Sequence, residues 1–275
     1  MTGAPPAHAP AFPLRLPAPA LVFERRARRL ETLAARGEGD PFLAFLGRLA
    51  AAQGEALGAA AGGPVDPARL PEDPALPGVL AALLRALRRG TALPGPAEAA
   101  VRGLGDASPA AIARIGSSLL GAGPGPSEVA AAPFVGAALQ VLATARAAAL
   151  DPAAPPRDEH GCPACGAPPV AGVIRGDDRL RVLTCALCAS EWHLPRIRCA
   201  SCDATAGLAY HHLEHDRGAR AETCAACESY LKLFDLQERP GAEPLADDAA
   251  TLALDLLLGE AGYGRGGLNL LVAAA

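Results

Sequence analysis

The chain has no uninterrupted apolar run near the roughly 18 residues that a membrane-spanning helix requires, so no segment is expected to insert directly into a bilayer. Its first 20 residues carry prolines throughout and lack the continuous apolar stretch of a signal peptide, which points to a cytoplasmic, reducing setting. Basic residues are not in excess: 25 Lys and Arg stand against 29 Asp and Glu, a net charge of −4, and this argues against a general nucleic-acid binder. Aromatics make up only 4% of the chain, and Lys232 is the single lysine. Alanine, glycine and proline are so abundant that periodicity is a better guide to structure than helix propensity. Residues 1–150 hold no cysteine and one histidine, His8, and so carry no catalytic signature.

What the first half lacks is concentrated between residues 162 and 227, which hold all eight cysteines as four Cys-x-x-Cys pairs with none left over. In order they form two units. Cys162 and Cys165 are followed after 19 residues by Cys185 and Cys188; ten residues later come Cys199 and Cys202, then after 21 more Cys224 and Cys227. This is the spacing of tandem four-thiolate metal sites, in which a tight knuckle points two sulfurs at one ion and two knuckles complete a tetrahedron. Disulfides would need an oxidising compartment. Thioredoxin-like motifs would each need a surrounding βαβ unit, for which 66 residues leave no room. Two pairings use the same eight ligands: sequential, or cross-braced with the first pair joined to the third. Sequential pairing is favoured because loops of 19 and 21 residues each accommodate a hairpin.

Helical periodicity predicts a helix over 21–37, with Phe23, Ala27, Leu30, Leu33 and Ala34 on its apolar face and the arginines 25, 26, 28 and 29 read as a solvated face or a docking surface. Gly37 and Gly39 suit its end. Asp40-Pro41 reads as a cap and first-turn proline for a second helix, with Phe42, Phe45, Leu46 and Leu49 as its stripe. A Gly/Pro-rich break over 62–78 precedes a third helix running to Gly90, and further helices are predicted at 97–104, 108–120 and 133–150. Residues 151–161 read as a linker. Beyond it, β-like runs at 170–174 and 180–183 flank a Gly176-Asp178 turn, and runs at 208–213 and 220–222 flank a turn at 216–218. A helix over 244–260 follows, with Asp248 and Asp255 seven apart on a face read as solvated. His193, His211, His212 and His215 are read as structural or surface residues rather than general bases, with His193 supporting a knuckle. The fold class is α+β: an N-terminal all-α domain (1–155), two tandem ribbons (156–196 and 197–240), and a C-terminal helix and tail (241–275).

The chain resembles the FdhE family of formate dehydrogenase accessory (formation) proteins. The resemblance rests on Cys162-Pro163-x-Cys165-Gly166 with Pro169-Val170, Leu180-Arg181, Cys185-x-Leu187-Cys188-x-x-Glu191-Trp192-His193, Arg196 and Cys199-x-x-Cys202. It continues through Ala221-Glu222-x-Cys224-x-x-Cys227, Tyr230-Leu231-Lys232, Ala246-Asp247-Asp248, Leu254-Asp255 and Gly262-Tyr263-x-Arg265. In the helical half it is carried by Arg25-Arg26-Ala27-x-Arg29-Leu30, Asp40 with Phe42-Leu43, Ala52-Gln53 and Pro133-Phe134. The tail departs from the family pattern at Gly266-Gly267 and Leu270.

The resemblance implies a cytoplasmic, non-enzymatic maturation factor for respiratory formate dehydrogenase, an exported molybdenum or tungsten enzyme, whose catalytic subunit it binds before export. It also implies rubredoxin-like ribbons that hold two iron ions, with zinc able to take their place: Cys162, Cys165, Cys185 and Cys188 as site 1, and Cys199, Cys202, Cys224 and Cys227 as site 2. The alternative is a nucleic-acid-binding zinc-ribbon protein that uses Trp192, Tyr210 and Tyr230 among Arg196, Arg198 and Arg220. Those two readings differ in salt dependence, which is steep for phosphate-backbone binding.

Overall fold

A computed structural model describes residues 14–36, 39–90, 92–153, 156, 161–214 and 216–272. His8, Gly37, His215 and most of the expected 151–161 linker lie outside the described residues. The first half is helical: α1 (Pro19–Ala34), α2 (Pro41–Ala56), α3 (Leu76–Arg88), α4 (Gly95–Gly105), α5 (Pro109–Leu120) and α6 (Ala132–Ala147). Asp40 caps α2 by accepting from the Phe42 and Leu43 N–H groups, and Ser108 caps α5 by accepting from that of Ala111. Nearly every residue of α6 is buried, which makes it the axis of the helical body. In α2 the buried ridge is Leu43, Leu46, Leu49 and Ala50, and Phe42 is 41% exposed. The expected stripe was therefore rotated at its start, because Leu43 rather than Phe42 lies in line with the face packed on α1.

The second half is one sheet. Its strands are β1 (Pro169–Arg175), β2 (Leu180–Cys185), β3 (Glu191–His193), β4 (Leu208–Leu213), β5 (Asp216–Cys224), β6 (Ser229–Asp235) and β7 (Gly264–Arg265), in the order β3-β2-β1-β6-β5-β4 with β7 beside the start of β6. The two ribbons thus join edge to edge: β1 and β6 run parallel, Ala171 opposite Lys232 and Val173 opposite Phe234. The turn expected at 216–218 is instead the start of β5, after a register shift between His212 and Leu213. The expected C-terminal helix is two, α7 (Pro244–Ala249) and α8 (Leu252–Glu260), broken at Thr251. That break lets the Thr251 hydroxyl donate to the Asp247 carbonyl and lets Lys232 Nζ donate to the Asp248 carbonyl at 2.8 Å.

One hydrophobic core runs without interruption from the helices into the first ribbon: Leu30, Leu46, Leu80, Phe134 and Leu142 share it with all four cysteines of site 1, Leu187 and Trp192. Polar bonds reinforce the junction. Arg26, only 1% exposed, donates to Gln53 Oε1 (3.4 Å), Gln140 Oε1 (3.2 Å) and Glu243 Oε1 (3.3 Å). Arg29 grips Asp247 with two bonds of 2.8 and 2.7 Å. Two of the arginines read as a solvated face are therefore interior, because α1 lies against α7, while Arg25 and Arg28 remain exposed.

The tail closes the structure. Leu270 and Leu271 are buried, and a methyl group at Gly136 on α6 would lie 2.6 Å from the Leu270 carbonyl oxygen. Gly267 is equally confined: a Cβ there would lie 2.0 Å from the Pro169 carbonyl oxygen at the start of β1. Gly136→Ala is expected to cost about 1–3 kcal/mol by overpacking, measured as a lower midpoint in chemical denaturation.

Candidate metal centres

All four knuckles are built alike. The residue after each second cysteine takes a left-handed conformation: Gly166 (φ 83), Ala189 (φ 59), Asp203 (φ 62) and Glu228 (φ 54). In the second and third knuckles, N–H groups within the turn, ahead of that residue, face the first sulfur. Cys185 Sγ accepts from the N–H groups of Leu187 (3.3 Å) and Cys188 (3.4 Å), and Cys199 Sγ from that of Ser201 (3.4 Å). Two serines add a matching contact: the Ser190 hydroxyl lies 3.2 Å from Cys188 Sγ, and the Ser229 hydroxyl 3.0 Å from Cys227 Sγ. Each serine sits two residues beyond its cysteine, a spacing visible in the sequence that cysteine counting passed over.

The sulfurs assemble into two groups, Cys162, Cys165, Cys185 and Cys188 in one and Cys199, Cys202, Cys224 and Cys227 in the other, with all sulfurs of a group within 4.8 Å of one another. The grouping is sequential; a cross-braced arrangement would have brought Cys162 to Cys199. Neighbouring sulfurs are 3.7 Å (Cys162 to Cys188) and 3.5 Å (Cys165 to Cys185) apart in the first group, and 3.7 Å (Cys199 to Cys227 and Cys202 to Cys224) in the second. A disulfide needs about 2.05 Å. A tetrahedron of sulfurs about 2.3 Å from a central ion has edges of about 3.8 Å. The donor set therefore fits one four-coordinate soft cation per group, and either group could hold iron or zinc.

Ionisation in the first group is uneven for the same geometric reason. Hydrogen bonding from Cys165 and the other two thiols drives Cys162 far below the usual thiol range, while the shared bond with Cys162 pushes Cys165 far above it. Burial, and then those neighbours, raises Cys185. Cys162 is thus favoured as a thiolate while Cys165 and Cys185 resist ionisation, which is the behaviour of a pocket that needs a positive ion before its sulfurs can all be thiolates. In the second group desolvation would raise Cys227, but the Ser229 hydroxyl and Cys202 bring it down to about 7.

The other candidate residues are placed differently. Trp192 and Tyr230 are 7% and 5% exposed, so neither offers a ring for stacking; Arg198 pairs with Asp203 and Arg220 with Asp235. Of the proposed nucleic-acid surface only Tyr210 remains exposed among the aromatics, and its hydroxyl donates to Glu222. His193 Nδ1 lies 3.0 Å from the Arg181 carbonyl oxygen and His211 Nε2 lies 3.0 Å from Thr223 Oγ1, so the two histidines sit on different strands with different partners.

Asp248 and Asp255 are not a solvated pair: they are 0% and 8% exposed. Lys232 Nζ reaches both, at 2.8 and 2.7 Å, and Arg265 Nη2 reaches both, at 2.9 and 2.8 Å. Asn269 adds a 2.9 Å bond to Asp248, and the Tyr230 hydroxyl donates to Asp255 at 2.7 Å. Two positive and two negative groups cancel inside this cluster, which clamps α7, α8 and the tail onto β6.

Family models match the chain in three consecutive pieces: FdhE, N-terminal, over residues 11–159; FdhE, central domain, over 161–196; and FdhE, C-terminal domain, over 197–272. A "Protein FdhE homolog" of Pseudomonas putida is 39% identical over 290 residues, covering 94% of this chain and 90% of the relative. "Protein FdhE" of Shigella boydii is 34% identical over 281 residues, with the same coverage of 94% and 90%. A homolog from Pseudomonas aeruginosa is 48% identical over a shorter match, 51% of this chain and 49% of that relative. The crystal structure of the FdhE protein from Pseudomonas aeruginosa superposes with a TM-score of 0.80 at 36% identity, covering 96% of this chain and 99% of that one.

Proposed function

The chain belongs to the FdhE family, and from that premise we propose that it is a cytoplasmic factor that binds the catalytic subunit of a respiratory formate dehydrogenase before export. Family membership supports the accessory role in formate dehydrogenase formation; the eight assembled thiols support the metal-bearing part of the reading. In this account residues 1–155 are the helical body, 156–196 and 197–240 the two ribbons, and 241–275 the clamp. Cys162, Cys165, Cys185 and Cys188 hold one ion and Cys199, Cys202, Cys224 and Cys227 the second, both iron in the cell. Iron in such a cage supplies one-electron redox chemistry, whereas zinc in the same cage supplies only structure. The cysteines leave no open coordination position, so the centres neither bind a substrate nor activate water, and the protein acts by binding rather than by catalysis.

The client surface in this reading is the cleft of about 720 Å³ between α1, the first ribbon and the chain before α7, where apolar Leu16, Leu21 and Val22 meet Arg25 and Arg28. Deleting the gene is expected to abolish respiratory formate dehydrogenase activity, and the full chain to restore it and to retain the catalytic subunit through a moderate-salt wash. Undiminished activity in the deletion strain would reject the role; retention that collapses with salt would favour nucleic-acid binding. Because Arg25 and Arg28 are exposed, Arg25→Glu with Arg28→Glu is expected to weaken client capture roughly tenfold, about 1.4 kcal/mol, while metal content and melting stay unchanged.

A further inference from the structure

The two sulfur groups share a ligand set and a knuckle design but not an environment. In the first, Cys162, Cys165, Cys185 and Cys188 are all at most 2% exposed, and all four belong to the core that continues into the helices. Its second knuckle is held from both sides: Gln140 on α6 donates to the Ala186 carbonyl at 2.7 Å, and the Ala186 N–H donates to the Pro168 carbonyl at 3.1 Å. In the second, Cys202 is exposed and Cys227 partly so. None of the four second-group cysteines joins a hydrophobic cluster among the described residues. The surrounding chain is open as well. Residues 201 and 202 and 205–207 are exposed, as is β4 from residue 209 to 212, and the far edge of β4 has no neighbouring strand among the described residues.

Ligand exchange at a closed four-thiolate site needs an incoming donor to approach the ion as one sulfur leaves. At the first group every sulfur is buried, so that approach requires opening the shared core, which costs more than moving a solvated loop. At the second group Cys202 can swing outward from a solvated loop.

We propose that the second group, Cys199, Cys202, Cys224 and Cys227, is an exchange site that takes up and gives up a soft divalent cation to an external thiol, whereas the first group keeps its ion permanently. An incoming thiol bonds to the ion as its thiolate, Cys202 departs, and the proton shed by the incoming thiol ends on Cys202, so charge and protons balance with no change of oxidation state. The inference rests on the reading that both groups hold metal, and it adds that only one of them trades it.

The test uses the full chain reconstituted anaerobically with two equivalents of zinc and mixed with a thiol-bearing chromophoric chelator. One equivalent is expected to leave at least roughly tenfold faster than the other, a barrier difference of about 1.4 kcal/mol. Iodoacetamide added after the fast phase, with peptide mapping, is expected to label residues 199, 202, 224 and 227 and to spare 162, 165, 185 and 188. The emission of Trp192, the only tryptophan, which shares the core of the first group and pairs with Leu183 on the strand that ends at Cys185, is expected to hold through the fast phase and change in the slow one. Equal release rates, or early label on the first group, would overturn the exchange assignment alone. A chain that fails to take up two equivalents would instead overturn the metal reading on which it rests.

Discussion

Replacing Cys185 with alanine is expected to remove one metal ion, leave the other in place, and lower the stability of the whole chain by several kcal/mol. Cys185 is 1% exposed, accepts two backbone N–H bonds and lies 3.5 Å from Cys165. Its loss leaves three sulfurs around an ion that prefers four, and binding energy at a structural site is folding energy. The destabilisation is global because those sulfurs belong to the core shared with Leu30, Phe134 and Leu142. Cys202→Ala should also remove one ion but shift the melting temperature much less, since Cys202 is exposed. Metal content by native mass spectrometry, paired with thermal denaturation, checks both variants. Loss of both ions from Cys185→Ala, or equal melting shifts, would contradict two separately held centres of unequal burial.

Lys232→Met is expected to cost about 3–5 kcal/mol, the usual penalty for removing one partner of a buried ionic cluster. Lys232 is 1% exposed and sits between Asp248 and Asp255, which would then share the single charge of Arg265. Methionine fills the space but offers no donor, so a carboxylate is left buried with too few partners. Urea denaturation should show a lower midpoint with an unchanged slope; a change within about 0.5 kcal/mol would be the value for an unremarkable surface site instead. Acid gives a second reading. Burial raises the Asp248 carboxyl, but the charges of Lys232 and Arg265 outweigh it and hold the group below its ordinary value. A depressed carboxylate stabilises the fold fully above the unfolded pKa of about 4 and loses that contribution as pH falls through the folded value. The parent should therefore weaken steeply below about pH 4, and Lys232→Met less so.

The grouping of the sulfurs was legible because cysteine spacing states a geometry directly: 19 and 21 residues between pairs is hairpin length, and hairpins are what lie between them. Helices announced by an Asp or Ser cap before proline, α2 and α5, were equally plain. Periodicity failed where burial depends on a distant element. Arg26 and Arg29 look solvated on a helical wheel, but Gln53 and Gln140 close over Arg26, and Glu243 and Asp247, more than 200 residues later, pair with Arg26 and Arg29. Asp248 and Asp255, on α7 and α8, misled in the same way, since their partner Lys232 lies on strand β6. The joining strand β6 is not evident in the sequence: SYLKLFD does not alternate, since nearly all of it is buried, and a lysine at its centre does not announce a buried position. In retrospect the single lysine of the chain, flanked by leucines, was the signal.

The most direct measurement of the central claim is metal content, with a visible absorption spectrum, on full-length protein made and purified without oxygen. The account predicts about two irons per chain and a thiolate-to-iron band that bleaches on reduction, as for rubredoxin-like four-sulfur centres. About two colourless zincs would keep the scaffold and remove the redox role. A chain free of transition metal with its cysteines joined as disulfides would contradict the account.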